Sequence, residues 1–152
     1  MNAEVVVYGA SGYTGKLIAW HLAERGIPFI AAGRDARRLA EQMARVPELA
    51  GARYECVAVE HDEVALAKLF SGRKVVYNVV GPFMQLGDPV VRACLAAGCH
   101  YLDTTGEQDW MLHLKRTYGA AFAAKCLLLL PASPRIALAV QLVAELALEH
   151  PG

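Results

Sequence analysis

Continuous apolar runs alternate along the chain with longer segments in which apolar and polar residues are mixed. VVVY, FIAA, KVVYNVV and CLLLL are examples of these runs. Strands that are buried on both faces have this appearance, so each run predicts a strand of a covered parallel sheet. The six predicted strands span residues 5–8, 29–32, 54–59, 74–80, 100–103 and 126–130.

A helical segment follows each predicted strand, and its ends carry start or stop signals. Asp35 and Asp62 are suitable N-caps, and Asp88 followed by Pro89 predicts the start of the fourth helix. The predicted helices span residues 16–25, 35–45, 62–70, 88–98, 107–124 and 135–150, and residues 47–52 are a predicted loop. Right-handed crossovers then give an α/β fold, a Rossmann-type doubly wound parallel sheet with strand order 3-2-1-4-5-6.

Three glycines, Gly9, Gly12 and Gly15, connect the first predicted strand directly to the first helix. The first glycine permits a tight turn, the second clears space for phosphates, and the third lets the helix pack closely on the strand. N–H groups of the first helical turn and the positive end of the helix dipole then face an anion. The spacing G-x-x-G-x-x-G favours a dinucleotide pyrophosphate site. A P-loop nucleotide site and a purely structural turn are the alternatives.

The end of the second predicted strand distinguishes NADP from NAD. NAD sites usually have an acid here for the ribose hydroxyls, whereas NADP sites have an arginine for the 2′-phosphate. Arg34 stands at this position in AAGRDARRL, and Asp35 is either the NAD acid or a helix cap. Arg37 and Arg38 lie one helical turn further and either contact the phosphate too or form a solvated helix face. The sequence therefore predicts NADP over NAD, with Ser11 as an additional hydroxyl for the phosphate.

The fourth predicted strand ends in NVVGPF, beside the expected switch point between the first and fourth strands. Ligands of open α/β sheets bind beyond the carboxyl ends of the strands at such a point. Gly81 and Pro82 are therefore predicted to lie where the nicotinamide ribose passes, unless they form a plain turn. Polar residues after the fifth strand are candidates for the same crevice: Tyr101, Asp103, Thr104 and Glu107. Asp103 would contact substrate or ribose, or cap the next helix.

Other catalytic signatures are missing from the sequence. No tyrosine is followed four residues later by lysine, and no G-x-S-x-G elbow is present. The five histidines are scattered without zinc-ligand spacing, so no metal site is predicted. Cys94 and Cys99 are interpreted as small core residues.

Composition excludes several partner classes. The 152 residues fit one domain, and fifteen basic side chains balance fifteen acidic ones, which favours neither nucleic acid nor an anionic membrane. No apolar run reaches the length of about 18 residues typical of a membrane-spanning helix. The four cysteines lack C-x-x-C spacing, which favours a reducing, cytoplasmic compartment.

GASGYTGKL, AGRD, NVVGPF and GDPVVRACLAAGCHYLDTTGE together resemble the cofactor domain of the saccharopine dehydrogenase-like oxidoreductases, which include trans-acting enoyl reductases. The resemblance covers residues 4–131. It implies an NADP-type Rossmann domain followed by a larger substrate and dimerisation domain, and hydride transfer to or from an imine-like, carbonyl or enoyl carbon.

The resemblance also implies roles for individual residues. It assigns the pyrophosphate to Gly9, Ser11, Gly12, Tyr13, Thr14 and Gly15. It assigns the 2′-phosphate to Arg34, the nicotinamide side to Val80 and Gly81, and the neighbourhood of the active site to Tyr101 and Asp103. No catalytic acid or base follows from it. Two functions therefore stay open. One is an enzyme that acts on a small-molecule substrate, and the other is a regulatory module that binds NADP without catalysis.

The chain departs from this resemblance after residue 131. The pattern of residues 132–152 predicts an apolar helix with only a narrow polar stripe, formed by Gln141, Glu145 and Glu149. A helix that is apolar on most of its circumference requires burial on most sides. We expect it either to wedge between the sheet and neighbouring helices, or to pack on a second domain or a second copy of the chain.

Overall fold

The predicted doubly wound parallel sheet is confirmed. The computed structural model describes residues 2–133 and 135–148. Their six strands are all paired in parallel, in the order β3-β2-β1-β4-β5-β6. The strands, numbered along the chain, are Val5–Tyr8, Phe29–Gly33, Tyr54–Ala58, Val75–Asn78, His100–Asp103 and Leu129–Leu130.

Six α-helices of the described residues cover the two faces of this sheet. Numbered α1 to α6, they are Tyr13–Glu24, Ala36–Ala44, Glu63–Phe70, Phe83–Ala97, Gln108–Ala124 and Ile136–Leu148. Asp35 and Asp62 cap α2 and α3, as predicted, by accepting from the N–H groups of Arg38 at 2.9 Å and Ala65 at 3.0 Å. A 3₁₀ turn, Pro47–Leu49, lies within the predicted loop.

Alternate side chains of the strands enter two apolar layers. In β1, Val6 and Tyr8 pack in the layer formed with α3, α4 and α5. Val5 and Val7 pack in the opposite layer, formed with α1, α2 and α6. Since both faces are buried, the strands need apolar residues at every position, which explains their continuous apolar runs.

Helix α4 begins earlier than the sequence pattern predicts. The predicted N-cap at Asp88 is wrong, because the helix starts at Phe83 and Pro89 lies inside it. The donors of the first turn are satisfied by Glu107, a distant residue whose carboxylate accepts from the N–H groups of Phe83 and Met84. A local pattern of capping residues cannot reveal such a cap.

The Asp88 side chain instead joins α4 to α5. Its Oδ1 accepts from Nε2 of His113 at 2.8 Å and from the hydroxyl of Tyr118. Burial alone would raise the pKa of Asp88, but the hydrogen bonds from Tyr118 and His113 outweigh burial, and the pKa is lowered. Burial and the bond to Asp88 raise the pKa of Tyr118 to about 12.

Helix α6 receives part of the burial that its sequence requires. Three of its residues are buried in the layer shared with α1: Ala139, Val140 and Val143. Leu138 is 65% exposed, and Gln141 Nε2 donates to Glu145 Oε1 at 3.1 Å on the exposed side. Glu149, the third member of the predicted polar stripe, lies outside the described residues. No helix in the described part of the chain, α6 included, is long and apolar enough to span a membrane.

We expect Asp88→Asn to lower the free energy of unfolding at neutral pH by about 1–3 kcal/mol, because a charged acceptor of two hydrogen bonds is lost. The folded-state pKa of Asp88 lies below its ordinary value of 3.8. The ionised Asp88 side chain therefore stabilises the folded state fully above its ordinary pKa, and this stabilisation is lost as the pH falls through the folded-state pKa. Urea unfolding of the unmodified chain and of Asp88→Asn should show a difference in the free energy of unfolding at neutral pH, and this difference should shrink in acid. Equal stability at neutral pH would contradict the proposed bridge.

Candidate functional site

The carboxyl ends of β1 and β4 define the switch point of the sheet. Tyr8 pairs with Ala32 on one side and with Asn78 on the other. The N–H of Gly9 donates to the carbonyl of Ala32 at 2.9 Å, and the N–H of Val79 donates to the carbonyl of Tyr8 at 2.9 Å. After these bonds, the segment that follows β1 leads to α1 on one face of the sheet, and the segment that follows β4 leads to α4 on the other face. Open α/β sheets bind their ligands in the crevice that forms there.

Gly9 brings the loop after β1 against the segment after β4. Its φ is +94°, a conformation that residues with a Cβ rarely adopt. A Cβ here would also lie 2.9 Å from Cγ2 of Val80 and 3.1 Å from Cγ2 of Val79. The predicted phosphate loop and the predicted nicotinamide segment therefore lie side by side.

Gly12 and Gly15 have different roles in this loop. A Cβ on Gly15 would lie 2.4 Å from the carbonyl oxygen of Gly9 and 2.6 Å from Cα of Ala10. A Cβ on Gly12 would meet only the Gly9 oxygen, at an ordinary 3.5 Å, and Gly12 is exposed. The fold itself therefore requires Gly15, whereas the bare backbone at Gly12 matters only for a molecule that approaches from outside.

The first turn of α1 presents unpaired N–H groups and no negative charge. The N–H of Lys16 donates to the Gly12 carbonyl at 3.0 Å, which closes the first helical bond. Gly12, the N-cap, offers no side chain, and the turn contains no acid. In this turn and just before it, four backbone N–H groups have no acceptor among the described residues: those of Ser11, Tyr13, Thr14 and Gly15. Such a helix terminus attracts anions.

Arg34 lies exposed directly after β2, at the position predicted for the residue that contacts the ribose. Its guanidinium forms no ion pair within residues 2–133 and 135–148. Asp35 accepts from the N–H of Arg38, which confirms its interpretation as a helix cap. Arg37 instead pairs with Glu41 at 3.0 Å. Arg34 is therefore available to an anionic ligand, whereas Arg37 is engaged within α2.

Tyr8, at the end of β1, is fixed by His61. The Tyr8 hydroxyl lies 2.7 Å from Nδ1 of His61, and Nε2 of His61 lies 2.9 Å from the carbonyl oxygen of Leu86. Because a carbonyl only accepts, Nε2 carries a proton, and in the neutral imidazole the Tyr8 hydroxyl then donates to Nδ1. Burial raises the pKa of Tyr8 to about 12, with the nearby charge of Arg34 acting in the opposite direction. Tyr8 therefore stays protonated at neutral pH and is committed to an internal bond.

Tyr101 and Asp103, which the sequence analysis expects near the crevice, lie inside the fold, each 0% exposed. Asp103 Oδ2 accepts from the Tyr101 hydroxyl and from Nε1 of Trp110, both at 2.8 Å. Asp103 Oδ1 accepts from the N–H groups of Thr105 at 3.1 Å and Ala132 at 3.0 Å. Burial raises the pKa of Tyr101 well above its ordinary value. A direct contact with substrate would require this network to open.

Asn78 anchors the segment after β4, a role that the sequence analysis does not predict. Its Oδ1 accepts from the N–H of Val80 at 3.0 Å, and its Nδ2 donates to the Tyr101 hydroxyl at 3.1 Å. Gly81 and Pro82 follow, exposed and joined by a cis peptide bond. A buried amide at the end of an apolar strand is the one signal that marks Asn78.

The two cysteines at the end of α4 and directly after it lie in the core. Cys94 and Cys99 are buried, which confirms their interpretation as core residues. Burial raises the pKa of Cys99 to about 11, and its Sγ donates to the carbonyl of Arg73 at 3.2 Å. Among the described residues, no three His, Cys, Asp or Glu side chains are grouped so that they could hold a metal ion.

An open helix N-terminus behind a glycine turn, at the switch point of a doubly wound sheet, is the feature shared by the Rossmann-type dinucleotide-binding domains. The chain has this feature and is a domain of that class. Within the class, it belongs to the family described as "Saccharopine dehydrogenase NADP binding domain", whose model matches residues 5–124.

Several longer proteins are similar to this chain. A lipid droplet localized protein of Caenorhabditis elegans is 32% identical over 123 residues, which cover 76% of this chain and 29% of the relative. A trans-acting enoyl reductase of Mycobacterium ulcerans is 36% identical over 106 residues, which cover 68% of this chain and 25% of the relative. This chain thus spans less than a third of the length of these relatives.

A solved structure shows the same fold. The apo saccharopine dehydrogenase (L-Glu forming) of Saccharomyces cerevisiae has a TM-score of 0.63 and 17% sequence identity to this chain. The match covers 85% of this chain and 26% of the yeast enzyme. At this identity the likeness concerns the fold alone.

We expect Gly15→Ala to lower the free energy of unfolding by at least about 2 kcal/mol, because its methyl group would collide with backbone atoms that cannot move aside. Gly12→Ala is the matched control. Its φ of −78° suits alanine, so only the lower preference of alanine for an N-cap position should cost stability, by less than about 1 kcal/mol. Thermal unfolding followed by circular dichroism measures both. Similar losses in the two variants would contradict the separate roles of these glycines.

Proposed function

We propose that this chain is the cofactor-binding part of an NADP-dependent oxidoreductase. The proposal is carried by two neighbouring groups that have no partner among the described residues. They are the N–H groups at the start of α1 and the guanidinium of Arg34, directly after strand β2. The residues present fit the cofactor: the N-terminus of α1 carries no competing acid, and the exposed Gly12 leaves the approach to it clear.

The pyrophosphate is assigned to the loop after β1 and the first turn of α1. These N–H groups and the helix dipole supply hydrogen bonds and positive potential without a metal ion. Ser11 and Thr14 are half-buried residues of the same loop and turn, and their hydroxyls can add further donors. The residues proposed for this role are Gly9, Ser11, Gly12, Tyr13, Thr14 and Gly15.

The adenosine 2′-phosphate is assigned to Arg34. A guanidinium can donate two parallel charge-assisted hydrogen bonds to a phosphate. The two hydroxyls of an unmodified ribose are uncharged and accept such a pair of bonds less well. An NAD site would need a free acid at this position, and Asp35 is committed to capping α2. These two observations favour NADP over NAD.

The nicotinamide half is assigned to Val80 and Gly81. Val80 lies beside Gly9 at the switch point, and Gly81 is exposed next to it. When bound, the nicotinamide ring supplies the hydride donor or acceptor. The role of this chain is then to hold that ring at the open end of the sheet, where a substrate can meet it.

For the reaction we propose hydride transfer to or from an imine, carbonyl or enoyl carbon of a small molecule. The saccharopine dehydrogenase family and the mycobacterial trans-acting enoyl reductase support a dehydrogenase or reductase of this kind. Tyr8, Tyr101 and Asp103 are engaged in internal hydrogen bonds, so we assign none of them as the proton donor. A second domain or a second copy, packed on the exposed side of α6, would supply the remaining substrate contacts.

The alternative is a regulatory module that binds NADP without turnover. The commitment of Tyr101 and Asp103 to a buried network favours this second function, since both were the candidates nearest to the active site.

All four cysteines are free, and a reducing cytoplasmic compartment stays a prediction.

We expect Arg34→Ala to weaken NADPH binding by about 10- to 50-fold, since the charge-assisted hydrogen bonds from the guanidinium to the 2′-phosphate are lost. NADH binding should change by less than about twofold, because NADH lacks the 2′-phosphate. Arg37→Ala, which removes the same charge from a residue already paired with Glu41, is the matched control and should leave both affinities nearly unchanged. Fluorescence titration of NADPH and NADH measures all three proteins.

Two results of this titration would contradict the proposal. Equal weakening of NADPH and NADH by Arg34→Ala would remove Arg34 from the 2′-phosphate. Absence of saturable NADPH binding by the unmodified chain would remove the proposed function in both of its forms.

A further inference from the structure

Glu107 lies at the end of the loop between β5 and α5, and its carboxylate reaches the start of α4. Its Oε2 accepts from the N–H of Phe83 at 2.8 Å, and its Oε1 accepts from the N–H of Met84 at 3.2 Å. Its own N–H donates to Oγ1 of Thr105 at 2.9 Å, which fixes the turn that directs the side chain. Both carboxylate oxygens are therefore used to cap a helix that is not their own.

This cap makes the two helix N-termini at the switch point unequal. The N-cap of α4 is Pro82, which has no side-chain cap of its own, and the first turn of α4 contains no acid. Glu107 supplies the missing acceptor and a negative charge, so a phosphate at this helix end would meet an occupied site and a like charge. The N-terminus of α1 has neither and remains open to an anion.

The same cap fixes one end of the segment between β4 and α4. The other end is fixed by Asn78, whose Oδ1 accepts from the N–H of Val80 at 3.0 Å. Gly81 and Pro82 lie between these two anchors and are exposed. Their position in the crevice therefore depends on both hydrogen-bonded ends of a very short span.

We propose that Glu107 is a positioning residue of the cofactor site. It holds Gly81 and Pro82 where the nicotinamide half of NADP docks, and it excludes phosphate from the N-terminus of α4. This inference rests on the proposed NADP-binding function and adds to it a residue that acts on one half of the cofactor only.

The two halves of the cofactor can be tested separately. Adenosine 2′,5′-bisphosphate carries the adenosine with the 2′-phosphate that is assigned to Arg34, but it has no nicotinamide. Loss of the Glu107 carboxylate should therefore weaken NADPH and leave the bisphosphate unaffected. A general loss of structure would weaken both ligands together.

The experiment compares Glu107→Ala and Glu107→Gln with the unmodified chain by calorimetric titration of both ligands. We expect Glu107→Ala to weaken NADPH about tenfold, and Glu107→Gln about threefold because its amide oxygen keeps one acceptor. The affinity for adenosine 2′,5′-bisphosphate should stay within about twofold in both variants. Asp109→Asn, which neutralises an exposed acid in the first turn of α5, is the matched control and should leave both affinities unchanged.

The outcomes separate the two proposals. An unchanged NADPH affinity in Glu107→Gln and Glu107→Ala, or an equal loss for both ligands in a folded variant, overturns the role of Glu107. Should Glu107→Ala fail to fold, the ratio of the two affinities in Glu107→Gln decides alone. If the unmodified chain binds neither ligand, the proposed function itself fails.

Discussion

The close approach of α1 to the end of β1 is the constraint on which the site depends. Only a residue without a Cβ fits at Gly15, beside the carbonyl of Gly9. This approach places the first turn of α1 at the switch point, where the N–H groups of Tyr13 and Thr14 have no acceptor in the described chain. Water can serve them in an exposed turn, so leaving them unpaired costs little stability and keeps them oriented for an anion.

A buried polar network supports the other side of the crevice. The Asp103 carboxylate accepts four hydrogen bonds from protein donors, and Asn78 extends the network to the segment after β4. The Trp110 ring reaches Asp103 because Gly87 leaves room for it, a Cβ there lying 2.4 Å from the ring. Since the buried groups satisfy one another, this side of the site is held rigidly and needs no ligand to order it.

Local signals in the sequence predict the strands, their order, the caps at Asp35 and Asp62, and the position of Arg34 after the second strand. Contacts between distant residues lie beyond those signals. Glu107 follows Phe83 by 24 residues, so the true start of α4 is invisible in the local pattern around Asp88. The burial of Asp103 likewise depends on donors that arrive from α5 and from the segment after β6.

The most direct test of the central claim is a titration of the ¹⁵N-labelled chain with NADPH, followed by the backbone amide resonances. If the open turn binds the pyrophosphate, the largest saturable shifts will fall on Ser11, Tyr13, Thr14 and Gly15. Lys16, whose N–H is already bonded to Gly12, should move less. Saturable binding that leaves these four amides unmoved would contradict the site, whatever its effect elsewhere in the chain.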